Sequence, residues 1–225
     1  MKKTLAALAT GGLLVTSGGA AANDLGAGFA WSGNLAVTSD YIFQGASETG
    51  GRPAIQGGFD LEHESGLYLG NWNSSVQFGD EDPAYIEIDV YGGFATDITD
   101  TVGIDVGVVH FFYPAAGGAA EFTEVYGGVN SGYQDLAADF YVIYEASDGD
   151  YLKYELNLAY ALPQSTYVFT DLGYVDYDDS DTDDLVYWHI GAGVEYAGLD
   201  FSVMYGDNDI SGNRDRWAFT VATDF

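Results

Sequence analysis

The stretch Leu152-Lys153-Tyr154-Glu155-Leu156-Asn157-Leu158-Ala159-Tyr160 decides the fold. Leu152, Tyr154, Leu156, Leu158 and Tyr160 fall on one side of an extended chain, with Lys153, Glu155 and Asn157 on the other. A period of two means a β-strand with one apolar and one polar face. Runs of about ten residues, the length a tilted strand needs to cross a bilayer, recur on both sides of it. Upstream, Phe29, Trp31, Leu35, Val37, Tyr41 and Phe43 oppose Ser32, Asn34, Thr38 and Asp40. Ile55, Phe59 and Leu61 oppose Gln56, Asp60 and Glu62, and Tyr68, Trp72 and Val76 oppose Asn71, Asn73 and Ser75. Ile86, Ile88, Val90 and Phe94 oppose Glu87, Asp89 and Tyr91, while Val102, Ile104, Val106 and Val108 oppose Asp105 and glycines. Val125 and Val129 oppose Glu124 and Tyr126, and Leu136, Phe140, Val142 and Tyr144 oppose Asp139 and Glu145. Downstream, residues 166–175 are ambiguous in phase. Val186, Trp188, Ile190 and Val194 oppose His189 and Glu195, and Leu199, Phe201, Val203 and Tyr205 oppose Asp200 and Ser202. Trp217, Phe219, Val221 and Phe225 close the series against Thr220 and Asp224.

Twelve strands are predicted, and their connections alternate in size. Longer polar ones span 44–53, 78–83, 114–121, 146–150, 176–184 and 207–215. Short ones span 64–66, 97–100, 132–135, 163–165 and 197–198. Long loops at one end and tight turns at the other are the pattern of an outer-membrane barrel. The short-turn end, with both termini, is then periplasmic. A soluble barrel or sandwich would alternate as well, with its apolar face inward. Three features decide against it. Lys153 is the one strand-interior cation on the polar face. Aromatics crowd the strand ends at Tyr41, Phe43, 111–113, Tyr160, Tyr174, Trp188 and Trp217, as membrane girdles do. Residues 216–225 alternate and end on Phe225, the terminal pattern that barrel-assembly machinery reads.

The N-terminus carries Lys2 and Lys3, a short apolar stretch from Leu5 to Val15, and Ala20, Ala21 and Ala22. That order predicts a cleaved signal peptide over 1–22. The expected architecture is therefore all-β: a transmembrane antiparallel up-and-down barrel of about twelve strands over residues 23–225. Without Lys2 and Lys3, four cations (Arg52, Lys153, Arg214 and Arg216) stand against 35 acids, a formal charge of −31. Phosphate needs Lys and Arg to meet it, so nucleic acid is excluded as a partner. Cysteine is absent, which excludes a disulfide and a lipoprotein anchor.

Several segments resemble one family. They are Ser39-Asp40-Tyr41-Ile42-Phe43-Gln44-Gly45, Arg52-Pro53-Ala54-Ile55-Gln56-Gly57-Gly58-Phe59-Asp60, His63-Glu64-Ser65-Gly66-Leu67-Tyr68 and Gly70-Asn71-Trp72. Glu87-Ile88-Asp89-Val90-Tyr91-Gly92, Tyr113-Pro114 and Glu124-Val125-Tyr126-Gly127 continue it. The chain resembles the TorF-type putative porins of proteobacteria. The resemblance implies an outer-membrane barrel and a channel, and supplies no solute, cofactor or catalytic residue. Gln44 departs from the Arg expected there, which makes the lumen more acidic.

The polar face supplies the candidate pore lining: Asp40, Asp60, Glu62, Glu87, Asp89, Tyr91, Asp105, Glu124, Tyr126, Asp139, Glu145, Lys153, Glu155, Glu195 and Asp200. Carboxylate rings favour cations and repel anions. The expected function is a narrow cation-preferring channel for ions or small polar solutes. The alternative is a non-conducting structural or surface-binding barrel, with Tyr91 and Tyr126 filling the lumen. Lipid and lipopolysaccharide are the expected surroundings. A barrel phospholipase would need Ser and His together on the lipid side. His63-Glu64-Ser65 falls instead on a turn, His110 on the outer face and His189 inward. Asp207-Asn208-Asp209-Ile210-Ser211-Gly212 opens like a calcium loop, but its twelfth position is Ala218, not Glu. No metal, cofactor or enzymatic activity is expected.

Overall fold

The computed structural model describes residues 23–78, 84–114, 121–210 and 216–225. The expected signal segment, residues 1–22, lies outside them. The described residues form fifteen strands and no helix. Three are short: β1 (Asn23–Gly26), β3 (Ile42–Phe43) and β4 (Ala46–Ser47). Twelve are long: β2 (Phe29–Thr38), β5 (Ala54–His63), β6 (Leu67–Ser75), β7 (Ile86–Asp97), β8 (Val102–Phe112), β9 (Phe122–Tyr133), β10 (Leu136–Glu145), β11 (Tyr151–Leu162), β12 (Thr166–Tyr177), β13 (Leu185–Tyr196), β14 (Leu199–Asn208) and β15 (Arg216–Asp224).

Each long strand pairs antiparallel with its neighbours along the barrel, and β15 pairs with β2 to close the ring. Closure leaves the twelve long strands without an open edge, and hydrocarbon surroundings demand that every backbone N–H and C=O be paired. The seam runs to the last residue: Gly33 N–H donates to the Phe225 carbonyl at 2.8 Å and Phe225 N–H to the Gly33 carbonyl at 2.9 Å. Phe225 also meets Trp31 and Phe59 edge-on, with centroids 6.4 and 6.3 Å apart.

The apolar residues of the alternating runs point outward. Ile55 is 64% exposed and Phe219 63%, whereas Glu124 and Lys153, on the opposite face, are 0% exposed. At the long-connection end Tyr144, Tyr174, Trp188 and Trp217 are exposed, and Tyr205 packs 5.2 Å from Trp188 and 5.1 Å from Trp217. At the short-turn end Tyr133, Tyr160, Tyr196 and Phe225 are exposed.

Three assignments need correction. In β6 the phase is reversed: Leu67 and Leu69 face out, while Tyr68, Trp72 and Val76 face in. The Tyr68 hydroxyl donates to Asp105 at 2.7 Å and pairs with the Tyr126 hydroxyl at 2.6 Å, contacts available only inside the barrel. Asn71, Asn73 and Ser75 consequently lie on the outer wall, where the Asn73 amide donates to the Gly57 carbonyl at 3.1 Å. Second, Tyr41 and Phe43 belong to no outer girdle, because β2 stops at Thr38 and the chain then turns into the lumen. Third, Phe111 and Tyr113 face inward, where Phe111 stacks on Phe122 at 4.3 Å. The ambiguous strand β12 resolves with Val168, Leu172 and Tyr174 outward and Tyr167, Phe169, Asp171 and Val175 inward.

Aromatic contacts contribute about 0.5–1.5 kcal/mol each beyond burial. Phe225→Ala therefore lowers the temperature at which the folded barrel converts to its unfolded gel mobility, and Phe225→Trp retains it. An unchanged transition in Phe225→Ala would contradict the seam assignment.

Candidate functional site

The lumen is the site, and its wall begins with glycine. Inward positions Gly70, Gly93, Gly107, Gly128, Gly173 and Gly193 each sit beneath a tyrosine ring: Tyr91, Tyr68, Tyr126, Tyr141, Tyr187 and Tyr167 respectively. A Cβ at any of them would overlap that ring. A strand glycine of this kind marks a close approach, here of a ring lying flat along the wall. Apart from Tyr126, whose hydroxyl meets that of Tyr68, each hydroxyl then reaches an acid on another strand.

Tyr91 donates to Asp60 at 2.5 Å, and Tyr68 and Tyr141 to Asp105 at 2.7 and 3.1 Å. Tyr151 donates to Glu124 at 2.6 Å, Tyr167 to Asp200 at 2.8 Å and Tyr187 to Glu155 at 2.8 Å. Hydrogen bonds to a charged acceptor are stronger than neutral ones. Tyrosine thus supplies the donors that so few Lys and Arg cannot. Two cations lie on inward positions, not Lys153 alone: Lys153 pairs with Glu124 at 3.0 Å, both fully buried, and Arg216 opens β15 on the inward parity of Ala218 and Thr220, with its Nε buried. Asp89 Oδ1, Glu124 Oε2 and Asp139 Oδ1 are buried without a hydrogen bond.

The second component is the connection 39–53, which folds into the barrel. Asp40 braces its base, accepting from Ser47 Oγ at 2.5 Å and Thr49 Oγ1 at 2.8 Å. Strands β3 and β4 form a hairpin across Gln44 and Gly45, at φ 48° and 74°. Two residues with positive φ make the hairpin-type turn that matches strand twist. Ile42 is buried at the tip in a cluster with Ala159, Phe169, Met204 and Ala218. Asn208 Nδ2 donates to the Gln44 carbonyl at 2.9 Å, and Gly45 N–H to His189 Nε2 at 3.1 Å. Phe43 lies 5.6 Å from Lys153 Nζ, and Tyr41 donates to Glu87 at 3.3 Å.

The candidate lining residues divide by position. Asp60, Glu87, Asp89, Tyr91, Asp105, Glu124, Tyr126, Asp139, Lys153, Glu155 and Asp200 face the interior from the strands. Glu62 is half-buried and Glu195 exposed toward the short-turn end. Asp40 lies in the inserted connection. The Glu145 carboxylate turns to the 146–150 connection, accepting from the N–H groups of Ser147, Asp148, Gly149 and Asp150 at 2.6 to 3.1 Å. Sequence reasoning missed Tyr68, Tyr141, Tyr151, Tyr167, Tyr187, Asp171 and the hairpin. For Tyr141 and Tyr187 a signal existed, since they share parity with Asp139 and His189.

Glu48, in the connection rather than a spanning strand, is pushed up to about 7 by burial and then by the neighbouring Asp40 carboxylate. A carboxyl raised above its ordinary 4.5 binds a proton in the folded state that the unfolded chain has released. Stability is then greatest below that ordinary value and falls as pH rises toward 7. Glu48→Gln should raise the melting temperature at pH about 8 and leave it nearly unchanged at pH about 4. Equal shifts at both pH values would contradict this.

Comparison with known proteins places the fold. The KdgM porin is similar over 86% of this chain and 98% of its own, with TM-score 0.62 and 10% identity. KdgM in complex with disordered oligogalacturonate gives TM-score 0.61 at 9% identity, covering 87% of this chain and 97% of that one. The NanC porin gives 0.57 at 8% identity, covering 85% of this chain and 97% of that one. These likenesses establish a porin-type barrel fold. No curated protein matches by sequence. One family model does match, over residues 22–224, and its description does not carry the TorF-type name. The chain belongs to the Gcw_chp family, described as bacterial proteins of unknown function.

Proposed function

We propose that this protein is a narrow, cation-preferring channel of the Gram-negative outer membrane, for passive passage of ions or small polar solutes. The observation that carries the reading is the charge of the inner wall. Asp60, Glu62, Glu87, Asp89, Asp105, Glu124, Asp139, Glu155, Asp171 and Asp200 lie on inward positions of the spanning strands, against Lys153, paired to Glu124, and Arg216 at the start of β15. Low-dielectric walls focus such a field, which concentrates cations and excludes anions. Twelve strands lie between a barrel of eight, whose interior is filled, and one of sixteen, which is open. The tyrosine belt and the 39–53 hairpin narrow the lumen further.

In this reading the long connections face outward, against lipopolysaccharide, and both termini face the periplasm. Phe225 is the recognition signal for assembly. The fold is shared with KdgM, a porin solved with oligogalacturonate, but an acidic wall favours a different solute. Oligogalacturonate is a polyanion, and this lumen repels it.

One observation favours the alternative of a non-conducting structural barrel. Glu124, Lys153 and Ile143 are all 0% exposed, so the lumen near the long-connection ends of β9, β10 and β11 is packed as tightly as a core.

Planar-bilayer recording in a KCl gradient separates the two. The channel reading expects small steps that reverse toward the potassium equilibrium potential, unaffected by oligogalacturonate. Absence of conductance, or reversal toward chloride, would overturn it. Replacing residues 42–47 by a short glycine linker should enlarge the steps.

A further inference from the structure

We infer that His189 is the positioning residue for the 39–53 hairpin, and that it holds the tip only while its Nε2 carries no proton. The argument is one of donors and acceptors. Gly45 N–H can only donate, and it points at His189 Nε2 from 3.1 Å. Nε2 must therefore be the acceptor, which leaves the ring proton on Nδ1. Nδ1 lies 3.3 Å from Asp171 Oδ2, with the imidazole 2% and the carboxylate 9% exposed, a distance of charge attraction at which neither atom makes an aligned hydrogen bond. The Gly45 contact thus fixes the tautomer, and the nearby carboxylate favours a proton on the nitrogen that faces it.

A second proton reverses this. Nε2–H would face Gly45 N–H, donor against donor, while the imidazolium kept an ion pair with Asp171. The tip has little room to adjust. A Cβ at Gly45 would overlap the backbone of Asp207, so the hairpin already lies against β14.

The groups around His189 sharpen the test. From β12 comes Asp171, with Glu155 acting on it from β11. On its own strand Tyr187 lies 5.9 Å away and donates to Glu155. On β14 the neighbour is Gly206, and Arg216 of β15 pairs with Gly206 in register. Residues 42–47 of the hairpin carry no ionisable side chain. At the base, Asp40 and Glu48 face each other, and Glu48 faces Glu87. Acid relieves that repulsion and tightens the base, opposing release at the tip. His189→Gln isolates the imidazole, because the Gln amide oxygen accepts from Gly45 and does not titrate.

The chain has no cysteine, so Ile42→Cys places a single thiol at the buried tip. Its rate of reaction with a water-soluble methanethiosulfonate is measured in the folded barrel and divided by the rate in the unfolded chain at the same pH. With His189 present, this ratio should be about tenfold higher at pH about 5 than at pH about 8. In His189→Gln it should be flat or fall in acid, as the base tightens. An equal ratio at both pH values with His189 present, or the same acid acceleration in His189→Gln, would overturn the assignment. Should Ile42→Cys fail to fold, Ser47→Cys on the other hairpin strand reads the same seating. The hairpin latch stands apart from the channel reading, and the two fail separately. Acid-accelerated labelling without conductance at any pH retains the latch and removes the channel. Conductance with flat labelling removes the latch and retains the channel.

Discussion

The lumen depends on one interaction: a tyrosine hydroxyl donating to a carboxylate from a ring that lies over glycine. A barrel interior with many acids and few cations must find hydrogen-bond donors elsewhere. Phenol provides them without adding charge, and its ring fills space that water would otherwise occupy. The geometry requires glycine on the neighbouring strand, since a side chain there would lift the ring from the wall. Tyr68 over Gly93, Tyr91 over Gly70 and Tyr167 over Gly193 are three instances on different parts of the barrel. Each hydroxyl that reaches an ionised acid contributes about 1.5–3 kcal/mol. The abundance of Gly and Tyr in the composition has its physical cause here.

The same arrangement adds no positive charge to the wall. A salt bridge cancels a carboxylate, whereas a phenol only solvates it. Glu124 has both partners, Lys153 and Tyr151. Asp60, Asp105 and Asp200 have tyrosine, and Asp89 and Asp139 each retain a buried oxygen with no hydrogen bond. The wall is therefore ordered and rich in acids at once. The hairpin of 39–53 is matched to it: apolar at its Ile42 tip, neutral across Gln44 and Gly45, and acidic at its base.

Much of the barrel was legible in the sequence. Strand number, the alternation of long and short connections and the outward residues of most strands follow from polarity with period two. The failures share one cause. Period-two analysis assumes that aromatic means outward, and this interior is aromatic. Tyr68 and Trp72 drew the phase of β6 the wrong way, although Leu67 and Leu69 carried the outer face. In β12 Tyr167 and Phe169 blurred the alternation and hid Asp171. The inserted hairpin was hidden because Tyr41 and Phe43 continue the parity of β2. Its turn uses Gln44 at positive φ, where Asn or Gly is the usual signal. Glu145 lies on the inner parity, yet its carboxylate binds the backbone of the next connection, which alternation cannot reveal.

Replacing the hydroxyl donors while keeping the rings tests the account most directly. The variant carries Tyr68→Phe, Tyr91→Phe, Tyr151→Phe, Tyr167→Phe and Tyr187→Phe together, and its thermal unfolding in detergent is followed from neutral to acid pH. The account predicts a large loss of stability at neutral pH, where the carboxylates are left without donors. Much of that loss should be recovered in acid, where protonation removes their charge. A variant as stable as the parent at neutral pH, or a loss independent of pH, would contradict it.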